Sequence, residues 1–327
     1  MGRKPILKFW GAGLPVLFAW GIALGAPVGD TTPTPVPTRM PPGHVFLAQW
    51  GGSGPGPGQL WNPFGLAVGP QDELYIADYA NDRIEVFDLL GNYVNQWGKK
   101  GEQSDEFHHA MGVAVDTKGF VYVADTLNSE IKKFDPSGVF KSRWGGYGTQ
   151  KGRLYNPVLL AVDGKGDVYV VDGSNNRVEE FNPEGTYVTD WGALGSDKGQ
   201  FEGPTGIALD SKGNVYVTDT NNHRIEKFSP TGKFLAQWGS RGKGKGQLDS
   251  PEGIAIDTQD HIFVADSANN RIQEFGPSGS FLGHWGGPGK GTGQFNLPAG
   301  IALDSRGNIY VADWANDRVE KFGSSPP

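Results

Sequence analysis

The chain has 327 residues, with 51 glycines, 23 prolines, 10 tryptophans and no cysteine. The lack of cysteine excludes a disulfide framework, a zinc–thiolate site and a thiol nucleophile, and the periodic strand patterns set among turn residues exclude a disordered chain. The formal charge of −7 argues against a nucleic-acid partner, which requires a dense basic footprint.

At the N-terminus, Arg3, Lys4 and Lys8 precede the apolar run FWGAGLPVLFAWGIALGAPV. This is the layout of a secretory signal peptide, with cleavage expected near Ala23-Leu24-Gly25. The run is also nearly long enough to span a bilayer as an uncleaved anchor. Residues 1–26 are read as one or the other, and the remainder as secreted or extracytoplasmic, touching a membrane only through that segment. Without residues 1–26 the chain keeps 26 basic and 36 acidic residues, a formal −10. Residues 27–43 contain TTPTPVPTRMPPG, whose proline density favours extended polyproline II and a semi-rigid spacer.

From residue 44 the sequence repeats. An Asp recurs at Asp78, Asp125, Asp172, Asp219, Asp266 and Asp313, and the Trp of a Trp-Gly step at Trp50, Trp97, Trp144, Trp191, Trp238 and Trp285, each interval being 47 residues. Six such units fill 44–325 without remainder, the signature of a solenoid or a propeller. One unit reads as four strands, PTGIALD, NVYVTD, RIEKF and KFLAQWG. The turns Asp-Ser-Lys-Gly and Ser-Pro-Thr-Gly between them use Gly for positive φ. NVYVTD is apolar on both faces, as expected of a sheet packed between two others. The expected fold is all-β: a six-bladed β-propeller of four-stranded antiparallel blades. HVFLAQWG (His44–Gly51) is a fourth strand without a preceding three, and the last unit has three strands without a fourth. Pairing the two completes the last blade and covers a sheet edge that would otherwise template aggregation.

The pattern V/AD-x-x-N-x-R-I/V-x-x-F followed by D-P-x-G-x-F-x-x-x-WG, seen in VTDTNNHRIEKF (Val217–Phe228) and FDPSGVFKSRW (Phe134–Trp144), resembles NHL repeats over all of 44–325. The resemblance implies the propeller. It implies little about activity, because similar repeats form RNA-binding domains, sensor domains of membrane kinases and a peptide-amidating lyase.

Six copies in one chain provide an internal control. Residues present in every copy are read as scaffold: Asn81, Asn128, Asn175, Asn222, Asn269 and Asn316 as turn residues, and the recurring Asp as a partner for the Arg five residues on. Unit two has Glu130 in place of that Arg, so Asp125 is expected to lack its partner and the loop to be looser. Asp116, Asp163, Asp210 and Asp304 begin D-x-x-G turns and Asp257 the equivalent turn Asp-Thr-Gln-Asp, which accounts for them without a bound cation.

The long, variable loops joining strand four to the next strand one share a face with the strand two–three loops and are the expected site. Three sets of equivalent positions lie there. The first reads Tyr79, Thr126, Gly173, Thr220, Ser267 and Trp314; the second Trp61, His108, Tyr155, Glu202, Asp249 and Asn296; the third Phe64, Met111, Val158, Thr205, Glu252 and Ala299. Aromatics gather in units six, one, two and three, and acids in units four and five. Trp61, Phe64, Tyr79, Tyr155 and Trp314, with His109 and Glu252, are the candidate ligand-binding residues; packing of the closure seam is the alternative for the aromatics.

Candidate chemistry is sparse. A three-His zinc site like that of the amidating lyase needs convergent ligands, yet only His108 and His109 lie near the upper mouth, and adjacent residues of an extended segment point apart. A gluconolactonase-like site needs clustered carboxylates, and Glu252 stands alone. The glycine–lysine loops lack phosphate-loop spacing. The long loops carry nine basic and six acidic residues, too thin a footprint for RNA. The expectation is a monomeric, non-catalytic module without cofactor or metal that recognises a protein, peptide or glycan. A propeller-type lyase or hydrolase at the channel mouth is the alternative, and an assembly scaffold, which predicts oligomers, a third.

Overall fold

The structure is a computed structural model that describes residues 44–324. The segments 1–26 and 27–43, and residue 325 of the expected propeller, lie outside the described residues. Six four-stranded antiparallel sheets form. Blade one runs outward through Pro63–Val68, Glu73–Asp78, Arg83–Asp88 and Tyr93–Trp97. Blades two to five repeat this order. Blade six takes Pro298–Leu303, Ile309–Asp313 and Arg318–Ser324 from the end of the chain and His44–Gly51 as its outer strand. His44 lies opposite Ser324 and Gly51 opposite Arg318, so the first strand closes the ring as the repeat count requires.

The second strand of each blade is buried on both faces because its period of two feeds two seams. Leu74 and Ile76 pack with Tyr310, Ala312 and Val319 of blade six, while Tyr75 and Ala77 pack with Val121 and Val123 of blade two. The recurring Trp bridges the same seams. Trp97 meets Tyr75 of its own blade edge-on at 6.1 Å and Phe134 of the next at 5.9 Å. The turn glycine Gly138, at φ +85, lies so close that a Cβ there would stand 2.8 Å from the Trp97 ring.

The innermost strands crowd round a central channel. Glycine follows the upper ring residue in five blades, because a Cβ on Gly65 would come 2.4 Å from the Met111 carbonyl oxygen and one on Gly206 2.1 Å from that of Glu252. Below this level Leu66, Val113, Leu160, Ile207 and Ile254, the alanines that follow them, and Val68, Val115 and Val162 line a cavity of about 250 Å³. Above it, Phe64, Met111, Val158, Thr205 and Ala299 are buried at the upper mouth.

Candidate functional site

The recurring Asp builds the long-loop face. Asp78 Oδ1 accepts the Trp61 amide at 2.7 Å, and its Oδ2 accepts Asn81 Nδ2 and Arg83 Nε, each at 2.8 Å. The Arg83 guanidinium then donates to the Pro55, Gly56 and Gln59 carbonyls at 2.6–3.0 Å, clamping the long loop before the blade. The same Asp contact holds the amides of His108, Tyr155, Glu202, Asp249 and Asn296 at 2.7 Å. One ring of variable side chains is thus presented on an invariant frame.

Asp125 does not lack a partner, contrary to the expectation from Glu130. Lys132, fully buried, places Nζ 2.8 Å from Asp125 Oδ2 and donates to the Gln103 and Glu106 carbonyls at 2.8 and 2.5 Å. It stands two residues along the strand, where blade one has Glu85. Two residues keep the same face, so blade two has exchanged the order of the acid and the cation and kept the clamp.

A second latch joins neighbouring blades. In five of the six blades the residue after the ring position donates its amide to the side chain ending the previous blade's short turn, among them Asn62 to Asp317 at 2.8 Å, His109 to Asp82 at 2.6 Å, and Ser250 to His223 Nδ1 at 3.0 Å. His223 accepts at Nδ1 and is therefore neutral there. Burial lowers its pKa, with Asp249 opposing.

On this frame the aromatics form an arc over blades six, one, two and three. Trp61 is 49 % exposed. The Tyr79 ring stacks on His109, with centroids 4.4 Å apart and 17° between planes, and His108 lies 5.2 Å from His109. Trp314 is half-buried, and its carbonyl accepts Asn62 Nδ2 at 3.2 Å. Tyr155 meets Tyr147 edge-on at 5.0 Å. Phe64, grouped with this arc from the sequence, is buried at 2 % exposure and is not part of its surface. It sits on the innermost strand at the mouth, where a bulge between Pro63 and Leu66 sets which side chains face inward.

Tyr147, 73 % exposed, and Leu194, 68 % exposed, extend the arc outward and were missed. Their signal lay in the third loop position, where other units carry Ser53, Lys100, Arg241 and Pro288. Each of these residues bridges back to a buried Leu or Phe seven residues later, so its own side chain is offered to solvent.

Glu252 lies apart, on blade five. It is half-buried at the channel mouth, and burial pushes its carboxyl up to about 8, with the Ser267 hydroxyl acting in the opposite sense. Asp249 lies 3.7 Å from the Arg241 guanidinium; His223 Nδ1, 3.3 Å away, is taken by the Ser250 amide and gives it no hydrogen bond. Among the described residues no three His, Asp or Glu side chains are grouped so as to hold a metal ion. The aspartates of the opposite face are held by their turns: Asp116 Oδ1 accepts the amides of Lys118 and Phe120, both at 2.9 Å.

The NHL repeat family matches residues 201–228, 248–275 and 295–322, three windows at the 47-residue spacing. No curated protein matches the chain. Solved structures share its fold at low identity. A gluconolactonase from Xanthomonas campestris is 17% identical, with 82% of this chain and 87% of that chain covered and a TM-score of 0.63. A virginiamycin B lyase from Staphylococcus aureus is 16% identical, with 86% and 99% covered and a TM-score of 0.60. A protein of unknown function from Bacteroides thetaiotaomicron is 18% identical, with 86% and 76% covered and a TM-score of 0.66.

Proposed function

Starting from a six-bladed propeller of NHL repeats, we propose that the chain is a non-catalytic recognition module that binds a protein, peptide or glycan across its long-loop face. One observation carries this reading: the arc of Trp61, the Tyr79–His109 stack, Tyr155 and Tyr147 offers aromatic surface to solvent on a rigid frame. Large flat side chains of this kind give much contact area for little lost rotamer freedom, and they dominate binding energies. Export is part of the proposal, supported by the basic residues and apolar run at the N-terminus; so is a monomeric state.

The test is a peptide and glycan array probed with the chain and with a Trp61→Ala/Tyr147→Ala variant. Both side chains are exposed, so the variant is expected to keep the parent's melting temperature. Binders of the parent should weaken at least about tenfold in the variant. Equal binding by both proteins, or no binder at all, removes the reading.

A second reading, a lyase or hydrolase at the channel mouth, is favoured by the Glu252 carboxyl, which keeps its proton up to about 8 as a general acid requires. Lactone or ester turnover that is abolished by Glu252→Gln would support it.

A further inference from the structure

The fourth residue of each third strand varies from blade to blade, and three blades show what its surroundings hold. Blades two, four and six carry Lys133, Lys227 and Lys321 there. Each places Nζ over the tyrosine of the second strand, at 4.9, 4.6 and 5.2 Å from the ring centres of Tyr122, Tyr216 and Tyr310. Lys133 and Lys321 also cross the seam to the outer turn of the next blade, donating to the Pro183 carbonyl at 3.2 Å and the Leu89 carbonyl at 2.8 Å. Lys227 pairs with Asp210 Oδ2 at 3.1 Å. An ammonium thus has a fixed place in this fold, among a tyrosine ring, the aspartate that opens the inner turn and a carbonyl of the neighbouring blade. Blade one puts Val86 at this position, and blade five Glu274, which meets His44 Nε2 at 3.4 Å.

Blade three keeps the tyrosine and the aspartate, Tyr169 and Asp163, but replaces the lysine by Glu180, which is 9 % exposed. Asp167 stands where blades four and six have Asn214 and Asn308. The loss falls on Asp163. In blade four Asp210 Oδ2 accepts Asn214 Nδ2 at 2.7 Å and the Tyr216 hydroxyl at 3.1 Å; in blade six Asp304 Oδ2 accepts Asn308 Nδ2 at 2.7 Å and the Tyr310 hydroxyl at 2.9 Å. The Tyr169 hydroxyl turns to Glu180 instead. Asp163 Oδ1 keeps its turn bonds to the amides of Lys165 and Asp167 at 2.8 and 2.9 Å, whereas Oδ2 has no donor among the described residues. Nor does any described Lys, Arg or His form an ion pair with Asp163, Asp167 or Glu180.

A cavity of about 420 Å³ opens at the same place, in the seam between blades three and four, lined by Asp163, Tyr169 and Val162 of one and by Leu209 and Pro230 of the other. Pro230 is the counterpart of Pro183 and Leu89, whose carbonyls receive the lysines of the other seams. Higher in this seam Leu159 replaces the glycine whose Cβ, in the other five blades, would stand 2.1–2.4 Å from a carbonyl oxygen of the next blade, so these two inner strands cannot approach as closely. Lys165 and Lys212 also line the cavity, but both are exposed, and water screens them more than it screens the buried acid.

We propose that this seam binds a primary ammonium carried on an alkyl chain, as on a lysine side chain, in the place that Lys133, Lys227 and Lys321 hold in their own blades. The ammonium sits over Tyr169 and has three hydrogens to give, which Asp163 Oδ2, Glu180 and the Pro230 carbonyl accept. The alkyl chain lies against Val162 and Leu209. The site is on the turn face, opposite the aromatic arc, and stands or falls independently of recognition there.

The probe is n-butylammonium chloride, titrated against the full chain by ligand-observed NMR, with 1-butanol as the uncharged analogue and calcium chloride as a competing cation. The parent should bind butylammonium at least about tenfold more tightly than butanol. Glu180→Lys brings its own ammonium into the place and should lose the probe by about tenfold or more, and Glu180→Gln, of nearly the same shape without the charge, should weaken it about threefold or more. Glu102→Lys makes the same change of charge at an exposed loop position of blade two and should bind like the parent. No binding by the parent, butanol as tight as butylammonium, unchanged affinity in either Glu180 variant, or an equal loss in Glu102→Lys overturns the proposal. Displacement of the probe by an equal concentration of calcium overturns it in favour of a metal site. Should Glu180→Lys fail to fold, Glu180→Gln decides alone.

Discussion

At the scale of single residues, the frame depends on buried charge that is paired and hydrogen-bonded, and that makes it sensitive to truncation. Removing one partner strands the other in a medium that cannot solvate it. Lys132→Ala should therefore cost about 3 kcal/mol or more in a urea melt, whereas Lys99→Ala, whose partner Glu106 lies in the same exposed loop, should leave the melt almost unchanged. The recurring Asp–Arg pairs were legible as such. Lys132 was also readable, because Glu130 and Lys132 invert Arg83 and Glu85 on one strand face, yet the equivalence of positions two apart emerges only when both are seen entering the same clamp. The frame also sets the pH response. Burial, opposed by the adjacent arginines, raises Glu85, Glu179 and Glu226 from 4.5 to about 7, and Glu320 to about 8. Burial alone takes Glu252 to about 8. In that window the native state holds protons that the unfolded chain has lost, so stability is full below about 4.5 and falls as pH rises through these values. His223, lowered by burial, has the opposite sign and costs stability as pH drops below its ordinary 6.5. His284 is lowered by burial in the same way; five carboxyls outweigh two imidazoles, and melting temperatures should decline from mildly acidic to mildly basic buffer. A flat profile across that range would contradict these assignments.

At the scale of a blade, the copies differ most where one of them departs from a shared device. Blades four and six place an Asp, a Tyr and a Lys together at the inner end of the second strand. Tyr216 donates to Asp210 at 3.1 Å with Lys227 also 3.1 Å from that carboxylate, and Tyr310 donates to Asp304 at 2.9 Å with Lys321 over its ring at 5.2 Å. Blade three has Asp163, Asp167 and the buried Glu180 round Tyr169 instead. Burial raises both Asp167 and Glu180, and their neighbouring carboxylates add to it. Glu180→Lys should give blade three the arrangement of blades four and six and stabilise by about 1 kcal/mol, seen as a higher melting temperature; a lower one would show that blade three has repacked round its acids. The innermost strand carries a complementary constraint. Gly253→Ala would put a methyl 2.2 Å from the Ala299 carbonyl oxygen, so it should destabilise by about 1–3 kcal/mol. Strand identity was plain in the sequence at this scale, but side-chain facing was not. Phe64 aligned with Glu252 as a rim residue, and the same bulge stands in both strands, so position in the repeat alone did not separate the buried ring from the half-buried carboxyl.

At the scale of the whole ring, the six units were legible from their constant spacing, and the sharing of blade six between the two ends of the propeller followed from counting strands. What could not be counted was which loop residues reach solvent, because Tyr147 and Leu194 are exposed through a bridge formed behind them. A chain beginning at residue 52 would leave Arg318–Ser324 unpaired along one edge, and it should aggregate at concentrations where the parent stays monodisperse in light scattering. The closing pair also has a direction. His44 and Ser324 face each other at the same end of two antiparallel strands, so opposite pulls on these two residues would load the hydrogen bonds singly, peeling them from that end, rather than all at once in shear. The ring is thus mechanically weakest along the line joining its own ends, and tension applied there would open blade six like a zip while the other five blades remain folded.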